Sequence, residues 1–132
     1  MAEKDVVRTD RAPGPFQGAP YNQAIRVGDL VFVAGQLGIS LETGALAGAA
    51  VAEQTEQIMA NLGAVLEAAG CGLDKLVKTT VFLMDLGDFA AMNAVYAEEF
   101  GDHKPARATV QVAALPLGAK VEIEAWAFRP EG

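Results

Sequence analysis

Arg107 is the charged residue whose setting best suits ligand binding. It lies between two alanines, just after Pro105, at the start of a predicted strand over residues 107–112. A planar guanidinium in a fixed backbone can hold a carboxylate through two parallel hydrogen bonds. An arginine paired with an acid across a sheet is an equally weighted alternative. The residue therefore indicates either a carboxylate-binding site or a structural ion pair.

Glu122 and Glu124 lie on the last predicted strand, residues 119–128, where apolar residues alternate strictly with the others. A period of two places both glutamates on one face together with Trp126 and Phe128. A carboxylate near apolar surface has a raised pKa, which makes it a usable proton carrier near neutrality. Solvated charges at a sheet edge are the alternative, and the pattern alone favours it.

The sequence lacks the motifs of several common catalytic and cofactor-binding sites. The chain has no GxGxxG, GxxxxGK[ST], GxSxG or HExxH motif, which argues against dinucleotide, P-loop, serine-hydrolase and zincin sites. Cys71 and His103 are its only cysteine and histidine, too few for a zinc site of soft ligands. We expect Cys71 to be a bystander thiol and His103 a solvated loop residue. No cofactor is expected.

Composition narrows the function classes further. The 132 residues fit one domain, and 52% hydrophobic with 20% charged residues is typical of a folded protein. The formal charge of −7 repels phosphate backbones and acidic membranes, so nucleic acid is a poor partner. The N-terminus has no apolar core of a signal peptide, and no apolar run is long enough for a membrane span. We expect a cytoplasmic protein.

Seven elements would position these residues. Residues 1–20, rich in Pro, Gly and charge, suggest a surface arm. Gly28-Asp29 predicts a hairpin turn between two strands, and Asp88 stands at the expected N-cap of the second helix. Helical spacing predicts helices over residues 51–69, ended by Gly70 and Gly72, and 89–100. Strands are predicted at 23–27, 30–34, 77–84, 107–112 and 119–128.

The order of these elements indicates an α+β domain with a mixed sheet and two helices on one face. The strands at 77–84 and 107–112 flank a helix and should be parallel. Residues 30–34 and 81–84 are apolar on both alternating faces, more than two helices on one face can cover. We therefore expect an obligate oligomer.

A series of short motifs runs along nearly the whole chain. They are Ala19-Pro20-Tyr21-Asn22-Gln23-Ala24, Ala34-Gly35-Gln36, Thr43-Gly44, Lys78-Thr79-Thr80-Val81-Phe82, Asp85-Leu86 with Asp88-Phe89, Asn93, Pro105-Ala106-Arg107, and Leu115-Pro116 followed by Val121-Glu122-Ile123-Glu124-Ala125. In their identity and order these motifs resemble the RidA (YjgF) family of reactive-intermediate deaminases.

The resemblance implies a homotrimer with the chorismate-mutase-like fold and sites in the clefts between subunits. It implies hydrolysis of 2-imino acids, or of 2-enamino tautomers such as 2-aminoacrylate, to 2-oxo acids and ammonia without metal or organic cofactor. By this resemblance Arg107 holds the substrate carboxylate and Glu122 orients or deprotonates water. Tyr21 lines the cleft, and Asn93 and Phe89 are further wall residues.

Three positions depart from the family's pattern. Ala34 stands where many members have serine, which leaves the backbone N–H of Gly35 as the polar group expected there. Thr109 stands where many have cysteine and is expected to line the site, and Ala19 replaces a glycine. A trimer that binds small carboxylates without turnover is the main alternative function. An endoribonuclease is less favoured, because the chain is acidic and has a single histidine.

Overall fold

Six strands form one mixed sheet in the order β1-β2-β3-β6-β4-β5. The computed structural model describes residues 3–130. The strands are β1 (Lys4–Val7), β2 (Ala24–Val27), β3 (Leu30–Leu37), β4 (Leu76–Leu83), β5 (Ala106–Gln111) and β6 (Val121–Phe128). The helices are α1 (Val51–Ala68) and α2 (Phe89–Phe100), so the predicted α+β class is confirmed.

Both helices pack on one face of the sheet, as expected. The apolar positions of β6, namely Val121, Ile123, Ala125 and Ala127, are completely buried beneath them. From α1, Ile58, Leu62, Val65 and Leu66 are equally buried. These side chains belong to one hydrophobic cluster, which burial of apolar area stabilises. None of the helices within residues 3–130 has the length and apolar character that crossing a bilayer requires.

Strand pairing confirms the two predicted connections. Val27 pairs with Leu30 across a two-residue turn in which Gly28 has φ +57°, a conformation that glycine adopts without strain. β4 and β5 are parallel, with α2 in the connection between them. β4 also pairs antiparallel with β6, so it lies between β5 and β6.

Three local expectations need correction. The supposed surface arm, residues 1–20, contains β1, which pairs antiparallel with β2 and buries Val7. Asp88 is the N-cap residue of α2, as expected, but its side chain makes no capping hydrogen bond, whereas Asp85 accepts a hydrogen bond from the Gly87 N–H at 2.8 Å. Gly70 alone ends α1 in a left-handed conformation, because Gly72 is extended at φ −160°.

The second sheet face carries large apolar side chains that the helices do not cover. Leu30, Trp126 and Phe128 are between 43 and 50% exposed, and Phe32 packs edge-on against Trp126 with ring centroids 5.4 Å apart. A contiguous apolar surface of this kind is typical of an interface between proteins. The uncovered face is therefore as expected, while the trimer remains a prediction.

Candidate active site

The two charged residues singled out from the sequence lie on opposite faces of the sheet. Arg107 pairs with Thr79 of β4, and Glu122 pairs with Phe82 of the same strand. Thr79 and Phe82 are an odd number of residues apart, so their side chains point to opposite faces. Arg107 accordingly lies on the helix face and Glu122 on the open face. The strands that carry them are separated by β4 and are not neighbours, so no single cleft of one chain contains both residues.

Aromatic rings hold the guanidinium of Arg107 on the helix face. Its central carbon lies 5.4 Å from the ring centroid of Phe89 and 4.8 Å from that of Tyr96. Cations bind favourably over the electron-rich face of such rings. Within residues 3–130 no carboxylate comes within the 4.0 Å of an ion pair with Arg107. The alternative of a cross-sheet ion pair is therefore wrong for this part of the chain, and the guanidinium is not neutralised by any carboxylate within it.

Tyr96 is a site residue that the sequence analysis missed. Its hydroxyl lies 2.6 Å from Oγ1 of Thr79, which fixes the ring beneath Arg107. Burial raises the pKa of Tyr96, although the hydrogen bond to Thr79 and the charge of Arg107 act in the opposite direction. The phenol consequently stays neutral near pH 7 and does not pair with the guanidinium as an anion. Tyr96 follows Asn93 by three residues on α2, so both lie on the same helix face, and this spacing could have identified Tyr96 from the sequence.

A cavity of about 300 Å³ adjoins Arg107 and is lined by Asn93, Tyr96, Ala97, Lys104 and Pro105. The ammonium of Lys104 donates to the carbonyl of Gly101 and adds a second positive charge at this cavity. Oδ1 of Asn93 is buried and, among the described residues, has no hydrogen-bond partner. An unpaired buried acceptor is costly, so a donor from a ligand or another chain is expected there. Thr109 lies on the same face as Arg107, two residues along β5.

On the open face, a close approach of two strands positions Glu122. The β3–β6 register shifts between Val33 and Gln36, which places Gly35 against the glutamate side chain. A Cβ added to Gly35 would lie 2.9 Å from Oε2 of Glu122, closer than real contacts allow. An alanine at this position would therefore displace the flexible end of the Glu122 side chain.

The environment of Glu122 favours proton transfer. Burial raises its pKa, and the negative charge of Glu124 on the same face raises it further. The sequence-based expectation of a tunable carboxylate is thus confirmed for Glu122 in direction, and the alternative of a fully solvated charge is wrong for it. A raised pKa makes a carboxyl group better suited to accept and return a proton near neutral pH.

Glu122 lines a second cavity, of about 290 Å³. Tyr21, Gly35 and Gln36 also line it, so the structure places Tyr21 and Gly35 in the same cavity as Glu122. The hydroxyl of Tyr21 accepts a hydrogen bond from the N–H of Phe16 at 2.6 Å. The remaining wall is mostly apolar and comprises Pro13, Gly14, Phe16, Ala19, Gln23, Ala34, Leu37, Ile39 and Pro116.

The predicted site residues therefore form two half-sites. The cationic half-site contains Arg107, Phe89, Asn93 and Thr109, to which the structure adds Tyr96 and Lys104. The acidic half-site contains Glu122, Tyr21 and Gly35. His103 is exposed on a loop, and burial raises the pKa of the Cys71 thiol, which keeps it protonated. No group of three or more metal-binding side chains occurs in residues 3–130.

The sheet order, the two helices and the divided half-sites define a single-domain α+β protein of the YjgF type. The family model described as Endoribonuclease L-PSP matches residues 11–129, and the chain belongs to this family, as its resemblance to RidA (YjgF) proteins predicted.

Named relatives include human 2-iminobutanoate/2-iminopropanoate deaminase, 44% identical over 124 residues that cover 94% of this chain and 89% of that protein. The solved YjgF gene product of E. coli superimposes with a TM-score of 0.89 at 41% identity, covering 96% of this chain and 99% of the other. E. coli TdcF, solved with bound serine, also gives a TM-score of 0.89, at 40% identity and coverage of 96% and 99%.

Proposed function

We propose that the chain assembles as a homotrimer and hydrolyses 2-imino acids, or their 2-enamino tautomers, to 2-oxo acids and ammonia in sites between subunits. The observation that carries this proposal is the division of the site. A guanidinium that pairs with no carboxylate of residues 3–130 and a half-buried carboxylate lie on opposite faces of one sheet, so two copies are needed to bring them together. The uncovered apolar face supplies the surface through which copies can meet.

Each half-site has a distinct task in this reaction. The guanidinium of Arg107, which lies over the rings of Phe89 and Tyr96, binds the substrate carboxylate. Glu122 of another copy takes a proton from water as the water oxygen attacks C2 of the imine. The same carboxyl group returns the proton to nitrogen, which gives a carbinolamine. The carboxylate then takes the proton of the new hydroxyl group and delivers it to nitrogen as the C2–N bond breaks, so that ammonia leaves and the C2–O bond becomes the carbonyl of the oxo acid. An enamine substrate first needs a proton on C3, which the protonated form of Glu122 can supply.

The names of the relatives support this reaction. The human relative is a deaminase of 2-iminobutanoate and 2-iminopropanoate, and TdcF carries bound serine, a small amino acid with the carboxylate that Arg107 would grip. The family description also names an endoribonuclease. A net charge of −7 and a single histidine exposed on a loop give little support to RNA cleavage by this chain.

Mixed assemblies test the proposal directly. Arg107→Ala and Glu122→Gln should each be inactive toward imino acids that an amino-acid oxidase generates in the assay. When the two variants are co-expressed in equal amounts, about one quarter of the sites between subunits receive both native residues. Co-expressed protein should therefore recover about one quarter of the wild-type rate of ammonia release.

Three outcomes would contradict this proposal. If the co-expressed variants recovered no activity, both residues would act within one chain, or one of them would have another role. A wild-type protein that binds 2-oxo acids without turnover would be a binding module. A stable monomer of 13.8 kDa in light scattering would remove the assembly and the shared site together.

A further inference from the structure

We propose that Thr79 is a positioning residue for the guanidinium of Arg107, and that it acts through Tyr96 without touching the substrate. This inference rests on the proposed function and concerns the carboxylate-binding half of the same site. Thr79 lies outside the cavity beside Arg107, whereas Tyr96 lines it. An effect of the Thr79 hydroxyl on the substrate must therefore pass through a neighbouring side chain.

Three elements of the fold bring the side chains of this pathway together. Thr79 of β4 pairs with Arg107 of the parallel strand β5, so both side chains point to the helix face. Tyr96 comes from α2, and its hydroxyl lies 2.6 Å from Oγ1 of Thr79. The guanidinium carbon of Arg107 lies 4.8 Å from the centroid of the Tyr96 ring. Thr79 thus holds one end of the ring that supports the cation.

Burial makes the hydrogen bond between Thr79 and Tyr96 decisive for the orientation of the ring. Thr79 is 1% exposed and Tyr96 is 6% exposed, so water has little access to either hydroxyl. A buried hydroxyl without a partner is costly, which favours the orientation that keeps the bond. The ring of Phe100 packs against that of Tyr96 with centroids 4.6 Å apart. The Tyr96 ring is therefore held at its hydroxyl and by an aromatic neighbour.

A fixed ring preorganises the guanidinium for a carboxylate. The long arginine side chain has many rotamers, and ordering such a side chain only at the moment of binding weakens affinity by about 2- to 10-fold. Phe89 and Tyr96 stand two turns apart on α2, and Arg107 lies over both rings. Loss of the Thr79 bond would loosen one of these two supports. Since the carboxylate is present in both the substrate and the transition state, KM should rise while kcat is kept.

The first test removes the Thr79 hydroxyl. Thr79→Val keeps the shape of the side chain, and KM for 2-iminopropanoate should rise by about 3- to 10-fold with kcat within about twofold of the wild-type value. A merely destabilised protein would lose active molecules, which lowers kcat and leaves KM unchanged. Thr79→Ser keeps the hydroxyl and loses a methyl group, so it should retain the wild-type KM even at a lower melting temperature. An equal rise of KM in both variants would assign the effect to the methyl group and overturn the proposal.

Thr55→Val is the matched control for Thr79→Val. Thr55 is completely buried on α1, where its hydroxyl donates to the carbonyl of Val51 at 2.7 Å, and it lies outside the cavity beside Arg107. The variant loses a buried hydrogen bond of the same kind, and its KM should stay at the wild-type value. A rise of KM as large as that of Thr79→Val would make the effect a general one and remove the positioning role.

Tyr96→Phe tests the route through the ring. It removes the other hydroxyl of the hydrogen bond and keeps the ring, so its KM should rise as in Thr79→Val. The double variant Thr79→Val/Tyr96→Phe should be no worse than either single variant, because both substitutions break the same bond. If the two effects were additive, Thr79 would act independently of Tyr96, contrary to the proposed route.

Calorimetry with pyruvate separates failure of this inference from failure of the proposed function. Thr79→Val should weaken pyruvate binding by about 3- to 10-fold, whereas Thr79→Ser and Thr55→Val should bind as the wild-type protein does. Turnover of 2-iminopropanoate with unchanged KM and pyruvate affinity in Thr79→Val would overturn the positioning role while the proposed function stands. Weaker pyruvate binding in Thr79→Val, without turnover of any imine by the wild-type protein, would overturn the proposed reaction and retain the positioning role.

Discussion

Replacing Gly35 by alanine tests whether the position of the Glu122 carboxylate controls the reaction. The added Cβ would lie 2.9 Å from Oε2, 3.0 Å from Cδ and 3.3 Å from Cγ of Glu122. Ordinary contacts begin at about 3.4 Å, so the carboxylate must move by about 0.5 Å or rotate away. The atoms in conflict belong to a flexible side chain, and the φ of Gly35 is not in the left-handed region. The chain should consequently fold normally while the carboxylate is misplaced.

The expected result is a loss of rate with little loss of stability. A displacement approaching 1 Å of a catalytic group costs about 100-fold, so we expect kcat of Gly35→Ala to fall by about 10- to 100-fold. Ammonia release from oxidase-generated imines gives kcat, and thermal melting checks the fold.

Gly63→Ala is the matched control for Gly35→Ala. Its Cβ would meet only Leu73, at an ordinary 3.9 Å, and alanine favours the interior of α1 by about 0.5–1 kcal/mol over glycine. Gly63→Ala should therefore melt slightly higher and keep its activity. If Gly35→Ala retained the wild-type rate as well, the observed position of the Glu122 carboxylate would not be the catalytic one.

Three further predictions concern the charged residues. Arg107→Lys should lose about 100-fold or more in activity at an unchanged melting temperature, because an ammonium cannot bind a carboxylate through two parallel hydrogen bonds. If the variant kept most of its activity, Arg107 would act only as a positive charge. Glu124→Gln removes the lesser cause of the raised pKa of Glu122, so the rising limb of its pH–rate profile should move to lower pH with little loss of maximal rate. Because a raised carboxyl pKa means tighter proton binding in the folded state, stability should increase as pH falls from above that raised pKa toward the ordinary value, and Glu122→Gln should abolish this dependence in thermal melts.

Local periodicity in the sequence determined most of the fold. The strict alternation in β6 assigned Val121 and Ile123 to the core and Glu122 to the opposite face, as observed. Spacings of three and four defined both helices to within one residue at each end. These features depend on neighbours along one element, so the chain itself specifies them. The edge strand β1 lacked such a signal, because Lys4–Val7 is too short for a period to be recognised.

Residue type also identified Arg107 and Glu122 as candidates, but only the tertiary structure decided how they are arranged. Their placement on opposite faces follows from the registers of β5 and β6 against β4, which are set by pairing between segments distant in the sequence. The close approach of Gly35 to Glu122 depends on the irregular pairing of β3, and the support of Arg107 by Tyr96 depends on the packing of α2 against β4. Such contacts leave no periodic trace in the sequence, because each joins two segments whose separation only folding removes.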